Sequence, residues 1–251
     1  MRDVRIVIFL ISVLTGCQDK ANPKVTIATA ANMQFAMEAL IEAFEAKSGV
    51  ECQMVVGSSG KLTAQIKEGA PFDIFVAANI KYPKAVYEAG LAHSAPKGYA
   101  LGALVLWTLD ENLIPSLDML SDPAIKHIAV ANPKTAPYGL AAMETLKTND
   151  LYEALKDKLI FGESISQTNQ YILSKAANIG FTSLSVVKSP GMIEKGKWTL
   201  LDENHYAPIE QGVVLIDRKE SEKPGSILFY EYLFTEEARQ ILKEFGYQMP
   251  S

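Results

Sequence analysis

The chain has 251 residues, 48% of them hydrophobic, and a formal charge of −5. That is enough apolar material for one large domain or two small ones. The acidic balance argues against general binding to nucleic acid or to an anionic membrane surface, so any anion must be held by local groups against a mildly repulsive field.

The first segment reads as an export signal rather than as part of the fold. Arg2 and Arg5 precede the apolar run Ile6-Val7-Ile8-Phe9-Leu10-Ile11, which continues through Val13 and Leu14. The run is too short to span a bilayer and fits the core of a secretion signal. It ends in Leu14-Thr15-Gly16-Cys17, which resembles the lipobox of bacterial lipoproteins. That likeness implies cleavage after residue 16 and a lipid on Cys17 that anchors the exported chain to a membrane. The chain has two cysteines, so an acylated Cys17 leaves Cys52 without a partner. Cys52 lies in the alternating run 50–56, on the face of Val50, Met54 and Val56, and reads as a small buried apolar residue.

Strand and helix signals alternate from residue 25 onward. A strand over 25–28 is followed by Met33, Met37, Leu40, Ile41 and Phe44 at helical spacing, with Gly49 past the end. Residues 50–56 form a second predicted strand, and Leu62 and Ile66 a short helix stopped by Gly69. A strand over 73–77 and a helix over 81–89 complete a βαβαβα order, which calls for a parallel sheet with helices on both faces. At 101–108 the rhythm gives way to a long apolar stretch. A second set then follows: strand 127–131, helices 140–148 and 151–157, strand 158–161, helix 166–176 and strand 179–183. Strands at 198–201 and 212–216 and helices at 225–233 and 236–245 close the chain, with Thr235 as cap and Glu236 and Glu237 in the last helix's first turn. No flexible linker marks a boundary, so two lobes would be joined by ordered crossings.

Gly57-Ser58-Ser59-Gly60-Lys61-Leu62 looks like a phosphate-gripping loop, but it fails the nucleotide pattern. The upstream glycine is missing, and Leu62 stands where a hydroxyl would hold magnesium. The nucleophile pattern G-x-S-x-G fails too, because the glycine comes one residue after the serine. His93, His127 and His205 are scattered and suggest neither a triad nor a metal cluster. What the loop retains is a strand end, a tight turn and a helix start, whose free N–H groups and serine hydroxyls can hold an oxyanion. Ala31-Asn32 repeats that design after the first strand, with Asn32 able to cap the helix or to turn its amide toward a ligand. Pro137-Tyr138-Gly139 and Ser164-Ile165-Ser166 are further junctions of the same kind. Such junctions face the crevice beyond the strands' carboxyl ends.

Several blocks resemble the periplasmic molybdate-binding proteins of ABC importers. They are Val25 to Met33, Gly57 to Leu62, Gly69-Ala70-Pro71-Phe72-Asp73 through Ala78, Asn132 to Gly139, Ile179 to Ser185, and Glu237 to Tyr247. They cover the exported chain in order. The resemblance implies the two-lobed type II periplasmic-binding-protein fold, α/β, each lobe a mostly parallel sheet flanked by helices. It implies lobes of 24–100 with 209–251 and of 101–208, with the ligand in the cleft. Carried over by position, it implies ligand contacts from the Ala31 backbone, Asn32, Ser59, and the backbone N–H of Tyr138 and Ile165. Ser58 is a further candidate. Ser183 stands where some members carry a tyrosine.

The implied ligand is molybdate or tungstate, tetrahedral dianions without a proton at neutral pH, for which a site made only of donors is suited. The implied partner is an ABC permease. Neither catalysis, a cofactor nor a bound metal cation is expected, and the chain is expected to be a monomer. Two alternatives stay open: a receptor for sulfate or another tetrahedral oxyanion, and an oxyanion sensor with no transport role.

Overall fold

A computed structural model describes residues 24–218 and 223–250. The signal run and Cys17 lie outside the described residues. β1 (Val25–Ala30) passes through a 3-10 turn (Ala31–Met33) into α1 (Gln34–Ser48). Gly49 ends that helix at φ 68, a left-handed conformation that glycine adopts without steric cost. There follow β2 (Cys52–Gly57), α2 (Ser59–Lys67), β3 (Ile74–Ala77), α3 (Lys81–Glu88) and β4 (Lys97–Gly102). The next segment holds β5 (Leu104–Thr108), β6 (Ile128–Ala131), α4 (Pro137–Thr148), α5 (Tyr152–Leu155), β7 (Leu159–Gly162), α6 (Ile165–Leu173), β8 (Ile179–Ser183), α7 (Leu184–Val187) and β9 (Lys197–Leu200). The chain ends with β10 (Ile209–Leu215), α8 (Pro224–Tyr232) and α9 (Glu236–Glu244). Thr235 caps α9 by accepting the Ala238 N–H, with Glu236 and Glu237 in the first turn.

The strands make two five-stranded sheets, ordered β2-β1-β3-β10-β4 and β7-β6-β8-β5-β9. In the first, β1 is parallel to β2 and β3, and β10 is antiparallel to both β3 and β4. In the second, β6 is parallel to β7 and β8, and β5 is antiparallel to both β8 and β9. Each sheet thus runs one way except for a single reversed strand. Those two strands, β5 and β10, are the ones the chain enters just after crossing between sheets. A separate apolar core lies under the first sheet, around Met37, Leu40, Ile74, Phe229 and Leu242. The largest core lies around β5, β6, β8 and α4 and also takes in Ala30, Ala31 and Ala78 of the first sheet. This is a two-lobed α/β fold.

The first crossing hides inside the apolar stretch 101–108. β4 keeps to the first sheet through Gly102, and β5 opens the second at Leu104. Both strands are apolar, so hydrophobicity does not register the change of sheet. The helix expected at 151–157 is a short α5 followed by a 3-10 turn at Lys156–Lys158.

Cys52 is half-buried rather than fully buried, because β2 is an edge strand. With Val50 and Met54 it packs on the first core, whereas Val56 is exposed. Burial, with help from Glu45 and Asp73, pushes its thiol up to about 12. Since the thiolate is the reactive form, we expect Cys52 at pH 8 to react with a disulfide reagent many-fold more slowly in native than in urea-unfolded protein. Equal rates would contradict this.

Asp73, from the Gly-Ala-Pro-Phe-Asp block, is buried at the opposite end of the first sheet from the loops discussed above. Its carboxylate accepts the Thr26 N–H and the Lys223 ammonium, both at 2.7 Å, joining β1, β3 and the start of α8. The block is therefore a structural staple, with Arg218 a further 3.9 Å cation beside it. Removing one partner of a buried pair strands the other. Asp73→Ala is expected to lower unfolding free energy by about 3 kcal/mol in urea titration. A loss below about 1 kcal/mol would place the pair among weak surface contacts.

Candidate functional site

Four helices begin around one small cavity. The 3-10 turn leading into α1 follows β1, α2 follows β2, α4 follows β6, and α6 follows β7. The N–H groups in a helix's first turn have no intrahelical acceptor, and the aligned peptides put a partial positive charge there. The cavity encloses about 190 Å3 of atom-free space including its mouth. Pockets for drug-sized ligands run from roughly 300 Å3 upward, so this one suits a compact ion.

Ala31, Asn32, Ser58, Ser59, Tyr138 and Ile165 line it, with small apolar neighbours such as Ala78 and Ala136. The structure therefore brings together the predicted residues from both halves of the chain. No lining residue is charged. There is no carboxylate to accept a proton from a ligand and no cation to neutralise one. Among the described residues no cluster of metal-ligating side chains occurs anywhere.

Each lining group has a defined state. Ser59, buried at the start of α2, accepts the Ala78 N–H on its Oγ at 3.0 Å, which leaves its own proton to donate. The Ser58 hydroxyl is buried and has no hydrogen-bond partner among the described residues. Buried polar groups are nearly always satisfied, so this one marks a position a ligand would fill. Tyr138 follows Pro137 at the start of α4, and Ile165 is the first residue of α6 after the Ser164 cap. Their side chains are buried apolar bulk, and what they can offer an anion is a backbone N–H. The Tyr138 ring runs inward to Gly102, where a Cβ would come within 2.1 Å of its hydroxyl. Burial raises that phenol well above the usual tyrosine range.

Asn32 and Ser183 sit differently from the other candidates. Asn32 does not cap α1, and its amide does not turn to the cavity. It lies within the 3-10 turn, and its Nδ2 donates to Gln211 Oε1 at 2.8 Å and to the Tyr247 hydroxyl at 2.9 Å. With both amide protons engaged, the donor that Asn32 can offer the site is its backbone N–H. Ser183 does not line the cavity. Its hydroxyl lies 2.9 Å from that of Ser185, behind the site. Sequence reasoning missed Gln211, Tyr247 and Ser185 as supports. Ser185 and Tyr247 sit in matching blocks, but nothing local pairs residues 62 positions apart.

The cleft is shut. Gly60 N–H donates to Thr135 O at 2.9 Å across the two halves, and a Cβ on Gly60 would come within 2.9 Å of the Thr135 backbone. That approach requires glycine. At the mouth Lys61 Nζ meets Glu163 Oε1 at 2.6 Å, both side chains exposed. Lys61 thus pairs across the cleft instead of entering the cavity.

Residues 25–248 match the sequence profile of a family described as bacterial extracellular solute-binding protein. The chain belongs to that family. As a solute-binding protein it is 35% identical over 245 residues to the molybdate-binding protein ModA of Azotobacter vinelandii, covering 97% of this chain and 96% of the relative. It is 33% identical to ModA of Rhodobacter capsulatus, covering 89% and 88%. The solved periplasmic molybdate-binding protein of Azotobacter vinelandii superposes with a TM-score of 0.85 at 30% identity, covering 91% of this chain and all of that one. The sulfate-binding protein SubI of Mycobacterium tuberculosis, at 13% identity and a TM-score of 0.71 over 90% of this chain and 86% of that one, shares the fold alone.

Ser58→Ala removes an unpartnered buried hydroxyl, so the ligand-free protein should melt no lower than the wild type. If that hydroxyl binds the anion, affinity should fall by about 1–3 kcal/mol in calorimetry. A lower melting point with unchanged affinity would take Ser58 out of the site.

Proposed function

We propose that the chain is an extracytoplasmic, membrane-anchored receptor that captures molybdate and tungstate and passes them to an ABC permease. The observation that carries this reading is a small cavity, built from four helix starts and two serines, with no charged side chain in its lining. The names of the relatives over 30% identical support molybdate as cargo.

Chemistry narrows the ligand class. A fully deprotonated tetrahedral oxyanion presents only acceptors, and the cavity presents donors: the Ser58 and Ser59 hydroxyls and the backbone N–H groups of Ala31, Asn32, Tyr138 and Ile165. Hydrogen bonds to an ionised partner are roughly twice as strong as neutral ones, so several convergent donors can replace a hydration shell. Phosphate retains a proton near neutral pH and would leave that donor without an acceptor carboxylate. Sulfate matches in charge and shape, so size is the available discriminator. The expected boundary between residues 100 and 101 falls inside β4, so we assign residues 24–102 with 209–250 to one lobe and 103–208 to the other. Closure then brings Tyr138 and Ile165 onto a ligand held by Ala31 to Ser59, a state that a permease can read. Anchoring follows from the Leu14-Thr15-Gly16-Cys17 sequence, with Cys17 as the lipid site. The role is binding rather than turnover, performed by a monomer without a cofactor.

Thermal denaturation with molybdate, tungstate, sulfate, phosphate and chromate tests the reading. A ligand at a thousand times its Kd adds about 4 kcal/mol to stability. Molybdate and tungstate should raise the midpoint strongly at concentrations where sulfate and phosphate do not. Equal shifts with sulfate would favour the general oxyanion receptor, and no shift with any of the five would sink the oxyanion reading.

A further inference from the structure

A hydrogen-bond network runs from the cavity's lining residues Asn32 and Ser59 back to residues that do not line it. Tyr247 is 3% exposed and follows α9, on the side of the first sheet. Its neighbour Gln248 is paired through both backbone groups with Leu101 at the first crossing, at 2.7 and 2.9 Å, and its side chain reaches Glu203 at the second. Ser185 belongs to α7, which follows β8 of the second sheet. Tyr247 and Ser185 meet at Asn32.

The donors and acceptors can be assigned. Ser185 Oγ lies 2.7 Å from the Asn32 carbonyl, which has no proton, so Ser185 donates there. Its oxygen is then free to accept from Ser183 at 2.9 Å and from Tyr247 at 3.1 Å, whose one proton is shared with the Asn32 carbonyl at 3.2 Å. The Tyr247 oxygen in turn accepts one Asn32 amide proton, and Gln211 accepts the other. Gln211 Nε2 donates on to Ala78 O at 3.3 Å, and the Ala78 N–H donates to Ser59 Oγ. One continuous chain of hydrogen bonds thus runs from Ser185 in the second half, through Asn32, to the serine of the α2 loop. Ser183, Ser185, Asn32 and Gln211 are all buried, so none of these bonds has water as an easy substitute.

We infer that Tyr247 and Ser185 are positioning residues: they tether the Asn32 turn to the opposite half, so that holding the anion and holding the cleft shut become one event. The inference rests on the oxyanion-receptor reading and adds residues that contact no ligand. Opening pulls Ser185 and Ser183 away from Asn32 and Tyr247, so the tether belongs to the closed form, whether a ligand-bound or a ligand-free molecule adopts it. Its loss acts on escape of the ligand and leaves capture by the open form alone.

The test uses Tyr247→Phe and, separately, Ser185→Ala, with molybdate as the probe. Affinity is measured by calorimetry and dissociation by chasing labelled molybdate with excess unlabelled ion. Each variant should bind about five- to tenfold more weakly, the worth of a buried hydrogen bond or somewhat more, with the change in koff and with kon held. The double variant should fall short of the product of the two single effects, as expected for a shared network. A residue that merely stabilises the fold would lower the ligand-free melting point and leave koff unchanged. A koff within twofold of wild type in both variants overturns the inference.

Wild-type protein that takes up no molybdate would instead sink the functional reading. Amide hydrogen exchange of residues 30–36 in ligand-free protein then decides the tether. Faster exchange in both variants supports it, and unchanged exchange overturns it.

Discussion

An anion removed from water without a counter-cation must be solvated by dipoles, and on the proposed function that requirement accounts for the construction of this site. Peptide N–H groups in the middle of a helix or sheet are already committed. Helix first turns supply free ones, already oriented and carrying the helix dipole. Bringing four such turns to one point fixes much else. The strands that lead into them must end there, the loops must be tight, and the side chains around them must be small. Ala30, Ala31, Ala78 and Ala136 meet the last condition.

The same requirement explains the division of labour within the loops. Ser59 is satisfied as an acceptor by Ala78, so its proton points outward. Ser58 is left unsatisfied, a local cost that a ligand in the cavity would offset on the proposed function. Asn32 looked like a ligand side chain, yet its amide is spent on Gln211 and Tyr247. An amide that is held cannot compete with the ligand for the backbone donors beside it. Lys61, the one cation of the loop, is drawn to Glu163 at the surface, where an exposed pair contributes little to stability. Its role there is geometric: it meets the other half of the chain at the mouth.

Closure and core packing are continuous. The largest apolar core draws residues from both sheets, and the contact of Gly60 with Thr135 closes directly over the cavity. The polar network behind Asn32 extends that contact to the C-terminal tail. The tail in turn lies against both crossings through Leu101 and Glu203. A segment far in sequence from the cavity loops is thereby placed against both crossings between the two sheets.

Much of this was legible in the sequence. Alternating strand and helix periods, with glycines at the helix ends, gave the element order, because those signals are local. The strand–turn–helix loops around the cavity were legible for the same reason, since a strand end, a small turn and a helix start are written in consecutive residues. The sequence alone also determined that no cation-based nucleotide site was present at 57–62. Tertiary structure decided the rest. It decided that the chain changes sheets at Ala103, where two apolar strands abut without a polar break. It decided that Cys52 is half-buried, because edge position in a sheet depends on which strands pair. And it decided that the Asn32 amide nitrogen is spent on Gln211 and Tyr247. Asn32 and Tyr247 lie 215 residues apart, and a side chain's direction at such a contact is set by what packs against it, not by its neighbours in the chain.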